Sequence, residues 1–203
     1  MMPAMNSAQQ LLTMRRQARD IFLADPGASE SQCTIFAPKH NDLDHADSEI
    51  AASVRSARRH FEVVSLIEQE NSESGRALAC RMLLSARTLA YRCGPFALLV
   101  RRSLRGESAH EFAVLFSLLA EQHPLSRPWV ILSANTQAPC LEYQSIGAVL
   151  DAGSCVWMRQ TGQDPDLVRG SAHLRSALAS SGDLLILAGA PKTRSDLTIL
   201  LVH

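Results

Sequence analysis

The sequence predicts an α/β protein: a doubly wound, mostly parallel sheet with helices on both faces, three layers in all, plus an extra N-terminal helix and a C-terminal strand pair. Two observations carry this. Short apolar runs such as FEVVSLI (61–67), FALLV (96–100) and PWVILSA (128–134) alternate with longer segments of helical periodicity. FALLV and WVILSA are also apolar at consecutive rather than alternate positions, the pattern of central strands buried on both sides. Strand–helix alternation is the sequence form of β-α-β units, whose right-handed crossovers favour a doubly wound sheet.

The elements follow in order. Residues 7–24 set Leu11, Leu12, Ala18, Ile21 and Phe22 near one helical face, with Arg15, Arg16 and Arg19 largely off it. DPGASESQ (25–32) stops that helix, so residues 1–30 read as a helix with its linker and 31–203 as a single domain. CTIFAP (33–38) reads as a strand, 45–60 as a helix, 61–67 as a strand and 72–93 as a long helix. Gly94-Pro95 then leads into the strand 96–100, a helix over 108–123 and the strand 128–134. A helix around 141–152, a strand over 154–159 and a helix over 164–180 come next, and 183–189 with 196–202 read as a closing hairpin.

Composition narrows the function classes. The 203 residues, 46% hydrophobic, are ample for a buried core. Twenty basic and twenty acidic residues give zero net charge, so no global field attracts nucleic acid or anionic membrane, and no nucleic-acid partner is expected. Five scattered cysteines without a C-x-x-C suit reduced thiols better than disulfides or a zinc site. No run has signal-peptide or membrane-span length, which places the expected location in the cytoplasm.

The stretch FALLVRRSLRGESAHEFAVLFSLLAEQHPLSRPWVILSA, continued by AVLDAGSCVWMRQTGQDPDLVRGSAHLRSAL, resembles the receiver domains of response regulators, the CheY-like family, over roughly residues 33–180. The resemblance implies a receiver or flavodoxin-like fold. It puts Ser133 and Ala134 at the switch hydroxyl and its small neighbour. It also puts Ala37 and Pro38 at the magnesium-binding acidic pair, Arg101 at the phosphoacceptor, and Gln160 and Thr161 at the Lys-Pro pair. None of those can perform aspartyl phosphorylation, since an arginine stays protonated and cannot be the nucleophile. The implied protein is a non-enzymatic pseudo-receiver acting through protein contacts, as a homodimer or on a signalling or secretion partner. The family's partner face falls on Tyr143, Trp157, Met158 and Leu167.

A second expectation comes from the residues themselves. Arg101, Arg102 and Arg105 follow the carboxyl end of a central strand, where open α/β sheets bind ligands, and guanidinium forks match phosphate geometry. With Ser133 they form a candidate anion site for a nucleotide or cyclic dinucleotide. The bland alternative pairs Arg101 with a carboxylate such as Asp42 or Asp44 and leaves Arg102 and Arg105 in solvent. NDLDHAD (41–47) is better suited to a helix N-terminus than to a metal. There is no P-loop, G-x-G-x-x-G or G-x-S-x-G, so no cofactor, metal or catalytic residue is expected.

Overall fold

The segment DLTILLV (196–202) has little that belongs in water, and the chain puts it where both of its faces and both of its edges are covered. The computed structural model describes residues 7–24, 48–70, 72–102, 107–136, 145–186 and 196–203. In it that segment is β6 (Asp196–Val202), buried at all seven positions in the interior of a six-stranded sheet. The other strands are β1 (Val63–Glu68), β2 (Phe96–Arg101), β3 (Trp129–Asn135), β4 (Ser145–Asp151) and β5 (Leu184–Ile186). Their order is β1-β2-β6-β3-β4-β5. Only β1 and β2 pair in parallel; β6 runs antiparallel to both β2 and β3, and β4 to both β3 and β5.

Strand alternation divides the core in two. On one face Leu98, Val100, Ile131, Leu150 and Leu200 pack under α3 (Gly75–Arg92), α4 (Ala109–Gln122), α5 (Ser154–Gln160), α6 (Pro165–Val168) and α7 (Leu174–Ser180). On the other Ala97, Leu99, Leu132, Ile199 and Leu201 pack under α1 (Ser7–Phe22) and α2 (Ser48–Arg58). Helix α1 buries Met14, Ala18, Ile21 and Phe22, at helical spacing, against the sheet and α2. Helix α4 is apolar around most of its circumference because it lies between the sheet and the other helices of its layer. Its start is fixed by a reciprocal cap in which Ser108 and Glu111 exchange side-chain and backbone hydrogen bonds.

The sheet corrects several expectations. It is α/β with helices on both faces, but mixed and mostly antiparallel rather than doubly wound and parallel. A strand buried on both faces reads as a continuous apolar run whichever way its neighbours point, so direction was not legible from FALLV or WVILSA. In place of the helix expected around 141–152, SIGAVLD (145–151) is β4, and 141–144 lie outside the described residues. The run SCVWMR is α5, not a strand; it buries Ser154, Cys155 and Met158 and exposes Val156 and Trp157, a period near three to four that a strand cannot give. The helix expected over 164–180 is two, α6 and α7. The last two strands are no hairpin, since β6, β3 and β4 stand in line before β5 is reached. The strand expected at 33–38 lies outside the described residues.

Gly147 marks the tightest point of the β3–β4 pairing. A Cβ there would collide with the Ser133 carbonyl oxygen and lie 2.7 Å from the Ala134 Cα. Both are backbone atoms of a central strand and cannot swing aside. Gly147→Ala is expected to lower unfolding free energy by about 2 kcal/mol or more, read by urea denaturation; an unchanged midpoint would show that this pairing relaxes freely.

Candidate functional site

The pairing directions bring one set of strand ends together. β1, β2, β3 and β5 end, and β4 and β6 begin, at the same edge of the sheet. Register aligns Asn135 with Asp196, and the Arg102 N–H donates to the Asp196 carbonyl at 3.0 Å. One step inward Ser133 faces Thr198. By strand alternation all five side chains lie on the α4 side, so the apolar core ends there in a buried polar row.

Arg102 is only 7% exposed. Its Nη1 donates to Ser133 Oγ at 3.1 Å, and its Nη2 to the Glu107 carbonyl at 3.1 Å. The guanidinium carbon sits 4.1 Å from the centre of the Phe112 ring, a cation–π contact. Ser133 Oγ is in turn 2.9 Å from Thr198 Oγ1. Burial pulls the Arg102 pKa down, against the opposing fields of Asp196, Glu107 and Glu111. Even so Nε finds no hydrogen-bond acceptor among the described residues.

Asp196 is the counterpart. It is 8% exposed, and neither carboxylate oxygen has a hydrogen-bond partner among the described residues. Burial raises its pKa to about 6, with Arg102 the opposing influence. A buried carboxylate normally has hydrogen-bond donors around it, and a carboxylate whose pKa is raised by burial beside a specific charge is a candidate functional group. Alongside, Glu107 is held by Arg169 at 3.0 Å, and burial raises its pKa as well. His110 Nε2 lies 3.2 Å from Ser145 Oγ, and burial lowers the imidazole pKa to about 4, so it is neutral at physiological pH.

The expected site residues are placed as follows. Arg102 and Ser133 are joined in the buried row. Arg101 ends β2 exposed and, by alternation, on the opposite face, so the two adjacent arginines do not form one clamp. Arg105, Tyr143, Asp42 and Asp44 lie outside the described residues. Met158 is fully buried core, while Trp157 is 50% and Leu167 76% exposed on neighbouring helices. Asp196 and Thr198 were missed, yet they carried a signal: a charge and a hydroxyl two residues apart, opening an otherwise apolar strand.

The opposite edge holds a second polar cluster. Arg15 of α1 bridges Asp151 and Asp183, both at 2.7 Å, and donates to Ser154 at 3.1 Å. With Trp157 and Ser181 these residues line a cavity of about 260 Å³. The cluster ties α1 to the far end of the sheet, and the Asp183 oxygens are each hydrogen-bonded, one by Arg15 and one by Ser181. Its chemistry is that of a structural clasp.

No family model matches the sequence, and no curated protein matches it. Among solved structures the chain is similar to a glycerate kinase from Thermotoga maritima, with a TM-score of 0.60 and 18% identity, over 77% of this chain and 40% of that one. It is also similar to the PH0495 protein from Pyrococcus horikoshii, with a TM-score of 0.56 and 16% identity, over 76% and 37% of the two chains. The chain therefore spans about two fifths of each. At this identity the likeness is one of fold. It overturns the expected membership of the CheY-like receiver family, as does an antiparallel strand inserted between β2 and β3, where a receiver sheet is parallel.

The two shifted groups titrate in opposite senses. Asp196, raised from 3.8 to about 6, costs the fold nothing below pH 3.8 and its full penalty above pH 6. His110, lowered from 6.5 to about 4, favours the fold above pH 6.5 and loses that contribution as pH falls toward 4. Over pH 4–6 the two slopes oppose each other. Asp196→Asn is expected to stabilise the protein at pH 7 by roughly 1–3 kcal/mol, a gain that shrinks toward zero by pH 4. Urea melts of both proteins across this range check it, and a gain of equal size at pH 4 and pH 7 would contradict it.

Proposed function

We propose that the chain is a binding module for a small acid bearing hydroxyl groups, or its phosphate ester, held at the polar row where β2, β6 and β3 meet. The observation that carries this reading is a pair of buried groups without a hydrogen-bond partner among the described residues, the Asp196 carboxylate and Arg102 Nε. Asp196 calls for a donor such as a hydroxyl, and Arg102 for an acceptor such as a carboxylate or phosphate oxygen. A molecule presenting both satisfies the row where the described chain does not. The fold's likeness to part of a glycerate kinase lends support, glycerate being a small acid with hydroxyl groups. Nucleotides and cyclic dinucleotides remain in the same chemical class through their phosphates.

The reading is tested by thermal shift against glycerate, its phosphate esters, adenine nucleotides and cyclic dinucleotides. A compound that raises the melting temperature of the wild type and leaves Asp196→Asn unmoved is the expected result; at a hundredfold excess over its Kd, binding adds about 2.7 kcal/mol. No response to any of these acids would contradict it.

A second reading keeps the chain non-enzymatic and acting by contact with a protein partner or another copy. It is favoured by Trp157 and Val156 on α5 and Leu167 on α6, large apolar side chains left 50%, 46% and 76% exposed. Sedimentation of the wild type beside Trp157→Ala separates self-association from a monomer that needs a different partner.

A further inference from the structure

Helix α3 carries four arginines, Arg76, Arg81, Arg87 and Arg92, and no acidic residue over its eighteen positions. Arg81 is neutralised by Glu73, 2.6 Å away. The other three are exposed and form no ion pair among the described residues. Between them, on the same outward arc, stand Leu84 and Tyr91, 64% and 83% exposed. Helical spacing puts Leu84 and Tyr91 two turns apart on one line, about 10 Å along the axis, with Arg87 beside that line and Arg76 and Arg92 toward its ends. The inner face of α3 is occupied by Leu78, Ala79, Met82, Leu83 and Ala86, so the outer residues are not needed for folding.

In a chain of zero net charge, three unpaired cations on one helix face are a local positive field rather than a share of a general one. A solvated surface would not be expected to add a leucine and a tyrosine at their centre. Tyrosine and arginine are among the residue types enriched in protein interfaces and their hot spots, and an apolar line flanked by cations is complementary to an apolar line flanked by carboxylates.

From this complementarity we infer that the outer face of α3 docks an acidic amphipathic segment of a partner protein, burying Leu84 and Tyr91 and pairing carboxylates with Arg76, Arg87 and Arg92. Leu84 favours a protein segment over a nucleic acid, for which stacking and phosphate contacts call on aromatic and cationic groups but not on an aliphatic one. The inference is independent of the polar row, which is buried between the sheet and α4 and uses none of these outer residues.

The experiment titrates the full chain with a short peptide of interspersed Glu and Leu, with a single-stranded oligonucleotide and with phosphatidylglycerol vesicles as the other arms. Two variants accompany it, Leu84→Ser with Tyr91→Ala, and Arg87→Glu with Arg92→Glu; all four positions are exposed, and a thermal melt confirms that each variant folds. Peptide binding that weakens about tenfold or more in either variant, and also weakens as salt rises, is the expected result. Binding of the oligonucleotide or the vesicles in preference to the peptide, peptide binding unchanged by the variants, or no peptide binding would overturn it.

Discussion

The chain's last strand is held on both edges: β6 is paired from Leu197 to Val202 with β2 on one side and from Asp196 to Val202 with β3 on the other. The parallel pair β1–β2 and the antiparallel set β3–β4–β5 have no other link within the sheet. Without β6 each would expose an unpaired central edge, and the two core layers would lose Ile199, Leu200, Leu201 and Val202 from their middle. The same pairing fixes what can stand at the sheet's polar edge. Because β6 runs against its neighbours, its first residue, Asp196, arrives beside the last residues of β2 and β3, and there it meets Arg102 and Asn135.

That meeting explains the electrostatics of the row. Arg102 is tethered to Ser133 and the Glu107 carbonyl and laid over Phe112, so its charge is fixed in place by short contacts. Asp196 feels that charge through space without a hydrogen bond, and burial prevails over the attraction. A pair with ideal geometry would have settled both groups internally. The arrangement instead leaves one donor and two acceptor atoms without a partner among the described residues, in a buried setting where polar interactions are strong and unmet ones costly. The proposed ligand class follows from those atoms, and the clasp at the other edge, where Arg15 satisfies Asp151 and Asp183, is its structural contrast.

Much of this was legible in the sequence, and the misses have physical causes. Helices α1, α2, α3 and α4 and strands β1, β2, β3 and β6 follow from periodicity, since burial on one face or on both leaves a clear pattern at those lengths. Direction did not follow: β6 gives the same apolar run in a parallel or an antiparallel setting. Reading strict alternation of strand and helix onto 141–160 reversed β4 and α5, although Cys155 and Met158, three apart and both buried, hold the helical signal. Arg102 stands out in the sequence as an arginine at a strand end. Glu107 and Phe112 are local to it, but Ser133 and Asp196 come from 31 and 94 residues further on, and only the fold brings those together.

Asp196 is a buried carboxylate with no hydrogen-bond donor among the described residues, beside an arginine committed to other partners. Its protonation is directly observable: a carbon-13 NMR titration of the aspartate carboxyl groups, with Asp196 assigned by its loss in Asp196→Asn. The expected midpoint is raised from the ordinary 3.8 to about 6. A midpoint at or below 3.8 would mean that Asp196 is a well-satisfied ion-pair partner, and the case for a ligand at the row would fall with it.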